Sequence, residues 1–235
     1  VDATALVSGG KDSIYSAYLA ECQGWNVREL LTLAPQDPES MMFHTPNLDL
    51  VALQAESWGK VHRRVELTGR GEALEGEELE RALSGSPHRW IVAGAIASSY
   101  QYTRLVKIAD RLGRRVYAPL WGKAGLRVVR EEVASGLDIR FVHLAAEGLP
   151  EGWIGRRLEG ELLEERARRA VPPRGFHPAG EGGEFETLVV DAPFFRSRIA
   201  LDAVEVMHRS GTVALKVQRA HLLPRNTPPG PAGTD

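Results

Sequence analysis

Cysteine is almost missing from this chain of 235 residues, which carries one, Cys22. A lone thiol cannot close a disulfide within the chain, and it excludes an all-cysteine zinc site or an iron–sulfur cluster. It also argues against sulfur-transfer chemistry, which draws on several thiols. On the apolar side of the first predicted helix, Cys22 is expected to pack in the core. Long apolar runs are missing too, so no transmembrane span is expected. The opening residues read as a core strand rather than a signal peptide, and the expected location is the cytoplasm. A surplus of one charge is also lacking: 29 Lys and Arg stand against 31 Asp and Glu. That balance excludes a polycation built to coat nucleic acid or a membrane surface. No internal repeat is visible.

What is there alternates. Apolar segments at Ala3–Val7, Val27–Leu33, Val61–Leu67, Trp90–Ala93 and Val116–Ala118 read as strands. Between them, helices are predicted over 13–23, from Pro46 through Trp58, over 72–83 and over 95–112. Strand–helix alternation predicts an α/β fold, a Rossmann-like parallel sheet with helices on both faces. In such sheets ligands gather at the carboxyl ends of the strands. The segments Ser8–Ser13, Phe43-His44-Thr45, Gly94 and Pro119–Gly122 all follow strands and should share one rim. After Gly122 the pattern changes: a helix near 126–135, a strand at 139–144, a strongly charged stretch to Ala170, then strands at 187–190, 197–207 and 212–217. The last two are joined at Ser210-Gly211, a hairpin turn. The expected organisation is a nucleotide-binding domain over 1–123, a smaller α+β substrate domain over 124–224, and a disordered Pro/Gly-rich tail over 225–235.

The run Ser8-Gly9-Gly10-Lys11-Asp12-Ser13 stands between the first strand and the first helix. Paired glycines let backbone approach a ligand closely, and a helix start offers unpaired N–H groups and a positive dipole end, a seat for phosphate. Lys11 adds a mobile positive charge, and Ser8 and Ser13 add hydroxyls. Asp12 would repel phosphate unless a cation such as magnesium lies between them. The spacing fits neither a Walker A loop nor a dinucleotide fingerprint.

A second motif, Gly180-Glu181-Gly182-Gly183-Glu184-Phe185-Glu186-Thr187, sets three carboxylates on a glycine-rich segment. Such crowding suits magnesium binding, capture of ammonium or removal of its proton, and equally a solvated acidic loop. His44 reads as a pocket residue or a loop cap, Tyr100 as site or core, and Trp121 as site or packing. The arginines at 156, 157, 166, 168 and 169 alternate with glutamates, the pattern of a solvated helix face or of a docking surface.

The first run resembles the PP-loop of the N-type ATP pyrophosphatases. Together with Met42–Asn47, Leu53-Gln54-Ala55-Glu56, Gly94-Ala95-Ile96, Pro119-Leu120-Trp121-Gly122, Gly155-Arg156 and the acidic segment, the chain resembles the diphthine–ammonia ligases of that superfamily over most of its length. The resemblance implies ATP-dependent adenylation of the diphthine carboxylate on translation elongation factor 2. Ammonia then displaces AMP to leave diphthamide. It implies ATP and Mg2+ as cofactors, with free ammonium as the nitrogen source. Ser8, Gly9, Gly10, Lys11, Asp12 and Ser13 would hold phosphates and, through Asp12, the metal; Phe43, His44, Thr45 and Gly94 would lie about the nucleoside. Tyr100, Gln101, Arg104, Trp121, Glu181, Gly182, Gly183, Glu184, Glu186 and Thr187 would line the acceptor side. Lys11, Asp12, Ser13, Glu184 and Glu186 would be the catalytic set. Neither a membrane nor nucleic acid is expected as partner, and a homodimer is compatible with the sequence. One departure stands out: Ala124-Gly125 replaces an Asp-Gln pair that the family carries. It keeps open another acceptor, such as a small carboxylic acid or a tRNA base, or a nucleotide-binding module without turnover.

Overall fold

The structure is a computed structural model and describes residues 1–35, 47–68, 72–146, 149–160, 162, 164–165, 177–209 and 211–225. Five strands form one wholly parallel sheet: β1 (Asp2–Leu6), β2 (Asn26–Pro35), β3 (Val61–Leu67), β4 (Trp90–Val92) and β5 (Arg115–Tyr117). The helices between them are α1 (Lys11–Cys22), α2 (Val51–Trp58), α3 (Glu72–Ser84) and α4 (Ser99–Arg111). A fifth helix, α5 (Gly125–Ala134), leads to β6 (Asp138–Leu144), β7 (Phe185–Asp191), β8 (Ser197–Arg209) and β9 (Thr212–Pro224). These last four make a separate antiparallel sheet in the order β7-β6-β9-β8. The α/β class expected from the alternation is therefore what the chain adopts, with the antiparallel sheet toward its C-terminal end.

The parallel sheet runs β3-β2-β1-β4-β5, so the chain grows outward from β1 first one way and then the other. The reversal opens a crevice between the carboxyl ends of β1 and β4, where open α/β sheets bind ligands. Residues on β1 and β2 are buried on both faces: Ala3, Ala5, Leu30 and Leu31 are all fully inaccessible. Small side chains on β1 let α1 lie close above it. The antiparallel sheet packs against the other flank of α1. One continuous apolar cluster joins Ile14 and Ala17 of α1 to Val128 and Val129 of α5, Phe141 of β6, and Phe185 and Val189 of β7.

Two helix expectations shift. The fourth helix begins at Ser99, not Ala95, because Ser98 is its N-cap and accepts from the Gln101 amide; the residues before it are not helical, and Ala93-Gly94-Ala95 border the cavity. Cys22 is exposed rather than in the core. Burial along α1 falls on Ile14, Tyr15, Ala17 and Ala20. Cys22 lies in the last turn, beyond the stretch that the second sheet covers. The expected helix from Pro46 is a short 3-10 turn at Leu48–Leu50 running into α2. Most of the charged stretch toward Ala170, and the Pro/Gly-rich tail beyond Arg225, lie outside the described residues.

Candidate functional site

At the crevice the chain builds a cavity of about 230 Å³. One wall is the β1–α1 turn, Ser8 and Gly10–Ser13; another is the end of β4, Ala93-Gly94-Ala95; a third is the acidic glycine segment with Glu181, Glu186 and Thr187. Leu6, Leu31, Leu33, Leu79, Leu105 and Tyr102 make the remaining side apolar. A polar rim beside an apolar slot suits a ligand with an anionic end and a flat aromatic end.

The turn has the backbone such a rim needs. Gly9 sits at φ +83°, in the left-handed region that side chains with a Cβ avoid. Gly94 is fixed by space instead. A Cβ there would stand 2.8 Å from the Ser13 nitrogen and 2.9 Å from the Asp12 carbonyl carbon, so the end of β4 lies directly on the first turn of α1. Inside the turn, the Ser13 hydroxyl accepts from the Ser8 amide at 3.2 Å and donates to the Gly10 carbonyl at 3.1 Å.

Lys11 is not the mobile cation expected from the sequence. It is 1% exposed, and its ammonium donates to both Asp12 oxygens, at 2.7 and 2.6 Å, and to the Ala179 carbonyl at 2.8 Å. The Glu132 carboxylate lies 4.0 Å away, and the Phe185 ring centroid 5.8 Å. A buried ammonium persists only where opposite charge and carbonyl oxygens replace water. Lys11 therefore fastens the turn to the acidic segment, and Asp12 is held in place with about a quarter of its side chain exposed. Burial, with Glu131 and Glu132 adding repulsion, pushes the neighbouring Tyr15 hydroxyl up to about 12. It stays protonated at neutral pH.

The second motif divides its carboxylates between jobs. Glu181 accepts from the Ala97 and Ser98 amides at 2.9 and 3.0 Å, an anion at the positive end of α4. Glu184 accepts from the His177 and Gly182 amides, both at 2.8 Å, and holds its own turn closed. His177 Nδ1 takes the Ala179 and Glu181 amides at 3.2 and 3.4 Å, which leaves the ring proton on Nε2. Glu186 faces the cavity, and the Thr187 hydroxyl accepts from the Lys11 amide at 3.2 Å.

Of the residues singled out on α4, Gln101 borders the cavity with its neighbour Tyr102. Tyr100 is 40% exposed, and its hydroxyl accepts from Arg104 at 2.8 Å on the outer face. Neither residue of that pair borders the cavity. Trp121 stacks on Tyr102 at 4.1 Å between ring centroids and backs the wall from behind. Gly182, Gly183 and Glu184 shape the acidic segment without bordering the cavity. Phe43, His44 and Thr45 lie outside the described residues. Among the described residues no group of three or more His, Cys, Asp or Glu is arranged to hold a metal ion.

Three participants escaped sequence reasoning. Glu132 sits in the last part of an ordinary amphipathic helix and is fully buried. Ala179 acts through its carbonyl, which no pattern of side chains reveals. Gln54 was noted only as part of a motif; it is fully buried and bridges the turn to β7. The Ala124-Gly125 departure also gains a physical setting. Ala124 is the N-cap of α5, with extended backbone and no side-chain cap. At position 125 a Cβ would meet His177 Cε1 at 3.0 Å and the Ala179 nitrogen at 3.2 Å, so the His177 turn occupies that space.

The switch-point crevice, the glycine turn feeding α1 and the acidic segment leading into β7 are the architecture of the α/β class that binds ligands at a switch point, here with a second, carboxylate-bearing wall. Within that class the chain belongs to the diphthamide synthase family: residues 1–116 match the diphthamide synthase N-terminal domain, and residues 126–223 the C-terminal domain. It is 34% identical over 234 residues to the diphthine–ammonia ligase of Schizosaccharomyces pombe, covering 91% of this chain and 38% of that protein. It is 31% identical over 248 residues to the Rattus norvegicus protein of that name, covering 93% of this chain and 91% of the relative. With the Homo sapiens protein of that name the identity is 30% over 231 residues, covering 88% and 85%.

Proposed function

We propose that this chain is an ATP-dependent ligase that amidates diphthine to diphthamide. The observation that carries the reading is the sharing of one cavity by the Ser8–Ser13 turn and the Glu181–Thr187 segment. A phosphate seat and an acidic acceptor wall face each other there. ATP fits the residues present. The left-handed Gly9, the Gly94 contact and the start of α1 bring backbone, with the Ser8 and Ser13 side chains, to the polar end, and leucines with Tyr102 offer a slot for the base.

In this reading the substrate carboxylate attacks the α-phosphorus, pyrophosphate leaves, and the resulting acyl-adenylate is a better electrophile than the carboxylate. Ammonia then attacks the acyl carbon and AMP leaves. Ammonium must lose a proton before it can attack, and Glu186, on the cavity wall, is the group proposed to receive it. Asp12 is the protein group that would hold Mg2+, and a magnesium ion there would neutralise charge on the leaving pyrophosphate. The Lys11 ammonium, already engaged by Asp12, sets the position of that carboxylate. Residues 1–123 would supply the nucleotide side and 124–224 the acceptor side. The protein substrate would be diphthine-bearing elongation factor 2 in the cytoplasm. No helix among the described residues is long and apolar enough to cross a membrane.

The test mixes the protein with ATP, magnesium, ammonium and diphthine-bearing elongation factor 2 and measures AMP and pyrophosphate. Release that requires both factor and ammonium is the expected result. Release without the factor, or none at all, would sink the assignment. A small carboxylic acid in place of the factor tests the other acceptor that Ala124-Gly125 keeps open.

A further inference from the structure

The Gly9 carbonyl is held from outside its own loop by two donors. The Val189 amide donates to it at 2.9 Å, and Gln54 Nε2 donates at 2.9 Å. The same nitrogen donates to the Val189 carbonyl at 2.7 Å. Gln54 is fully buried, and both groups it meets are carbonyls, which only accept. Its nitrogen must therefore be the atom that faces them. A trans peptide points its C=O and its N–H in opposite directions. With the Gly9 oxygen drawn toward β7, the Gly10 N–H is directed away from β7. That N–H has no acceptor among the described residues, and Gly10 borders the cavity. The peptide between two glycines has no side chain of its own to hold it in one orientation.

On the reading that this cavity takes the phosphates of ATP, we infer that Gln54 is a positioning residue. It locks the Gly9–Gly10 peptide so that the Gly10 N–H is presented to the anion. The lock runs through Val189, on the same strand as Glu186 and Thr187, so the orientation of the phosphate donor depends on the acidic strand being docked.

The test is titration calorimetry of the full chain with ATP, inorganic pyrophosphate and adenosine, for wild type, Gln54→Leu and Gln54→Glu. Gln54→Leu keeps the bulk and removes the donor. Affinity for ATP and pyrophosphate should fall by about tenfold, the scale of one hydrogen bond to a charged group, while adenosine binding holds. Equal losses for all three ligands would mean a merely structural role, and no loss would mean no role; either overturns the inference. Gln54→Glu turns an ionised carboxylate on two carbonyl oxygens, but once protonated it can donate again. Its ATP affinity relative to wild type should rise as pH is lowered from about 7.5 to about 5.5, the range into which burial lifts a carboxyl. A ratio independent of pH overturns the inference, and this comparison alone decides if the leucine variant does not fold. Wild-type protein that binds none of the three ligands would remove the nucleotide reading and this lock with it. Failure of the lock alone leaves wild-type ATP binding intact.

Discussion

Gly94 and Lys11 show how single residues hold this site. A methyl group at position 94 would press on the backbone of Asp12 and Ser13, which cannot rotate aside as a side chain would. Gly94→Ala should move the start of α1 and weaken ATP binding by tenfold or more, on the order of 1–3 kcal/mol of overpacking. Calorimetry reads the affinity, and an unchanged value would mean that the loop gives way freely. Lys11→Met makes a separate point. The ammonium is the cation between Asp12 and Glu132, and Glu132 is fully buried. Removing it takes the ammonium partner from Asp12 and from the buried Glu132, and should cost about 3 kcal/mol of stability in urea unfolding. A lysine that served only a phosphate would leave the unliganded protein as stable as before.

Among the elements, the start of α5 carries a deficit that can be repaired. Ala124 occupies the N-cap with extended backbone and has no side-chain oxygen to offer the first-turn amides. Ala124→Asp supplies a side-chain oxygen at the N-cap. It should stabilise the fold by about 1 kcal/mol, visible as a higher melting temperature. If acceptor specificity also changed in that variant, an aspartate at position 124 would be a substrate contact as well as a cap. The fourth helix shows the opposite case. Its start is capped by Ser98 and by Glu181 from the acidic segment, so helix dipole and glycine-rich turn stabilise each other across more than eighty residues of sequence.

For the whole molecule, one buried network lies beneath the parallel sheet, away from the cavity. Glu29 accepts from Thr4 at 2.9 Å and from Arg63 at 2.6 Å, and Thr4 also meets Ser86 and His88. Burial works to raise the Glu29 value, yet the Arg63 and Thr4 bonds prevail and hold it below the ordinary 4.5. A lowered folded value means the stabilisation is complete above pH 4.5 and is lost as pH falls through the folded value. Glu29→Gln should lower stability at neutral pH and flatten the acid limb of the stability profile below about pH 4.5. Parallel acid limbs for variant and wild type would count against Glu29 as a source of that dependence.

The parallel sheet was legible because its signals are local: apolar strands of uniform type, helices with one apolar stripe, and glycines at the turns. The Ser8–Ser13 turn was legible for the same reason. Ser98 showed its cap only weakly, since Gly94–Ser98 also fits a helical pattern, and the predicted helix began four residues early. Cys22 was misplaced because periodicity along α1 says which face is apolar, but not how far along the helix a neighbour covers it. Tyr100 and Arg104 were assigned to the acceptor side. Which face of α4 meets the cavity depends on α3 and the sheet, and there Gln101 and Tyr102 turn inward.

The sequence by itself determined the strand–turn–helix cradle, the α/β class and the presence of a second carboxylate motif. Each is written in neighbouring residues through backbone preference and hydrophobic period. Only the tertiary structure decided what those parts do to one another. The near absence of cysteine excluded a disulfide within the chain and argued against sulfur transfer, but it could not say that Lys11 would be withdrawn from solvent and clasped by Asp12, Ala179 and Glu132. Nor could it say that Gln54 would hold the Gly9 carbonyl. Apart from the neighbouring Asp12, those partners lie far apart in the chain, and only packing α1 between the two sheets brings them together.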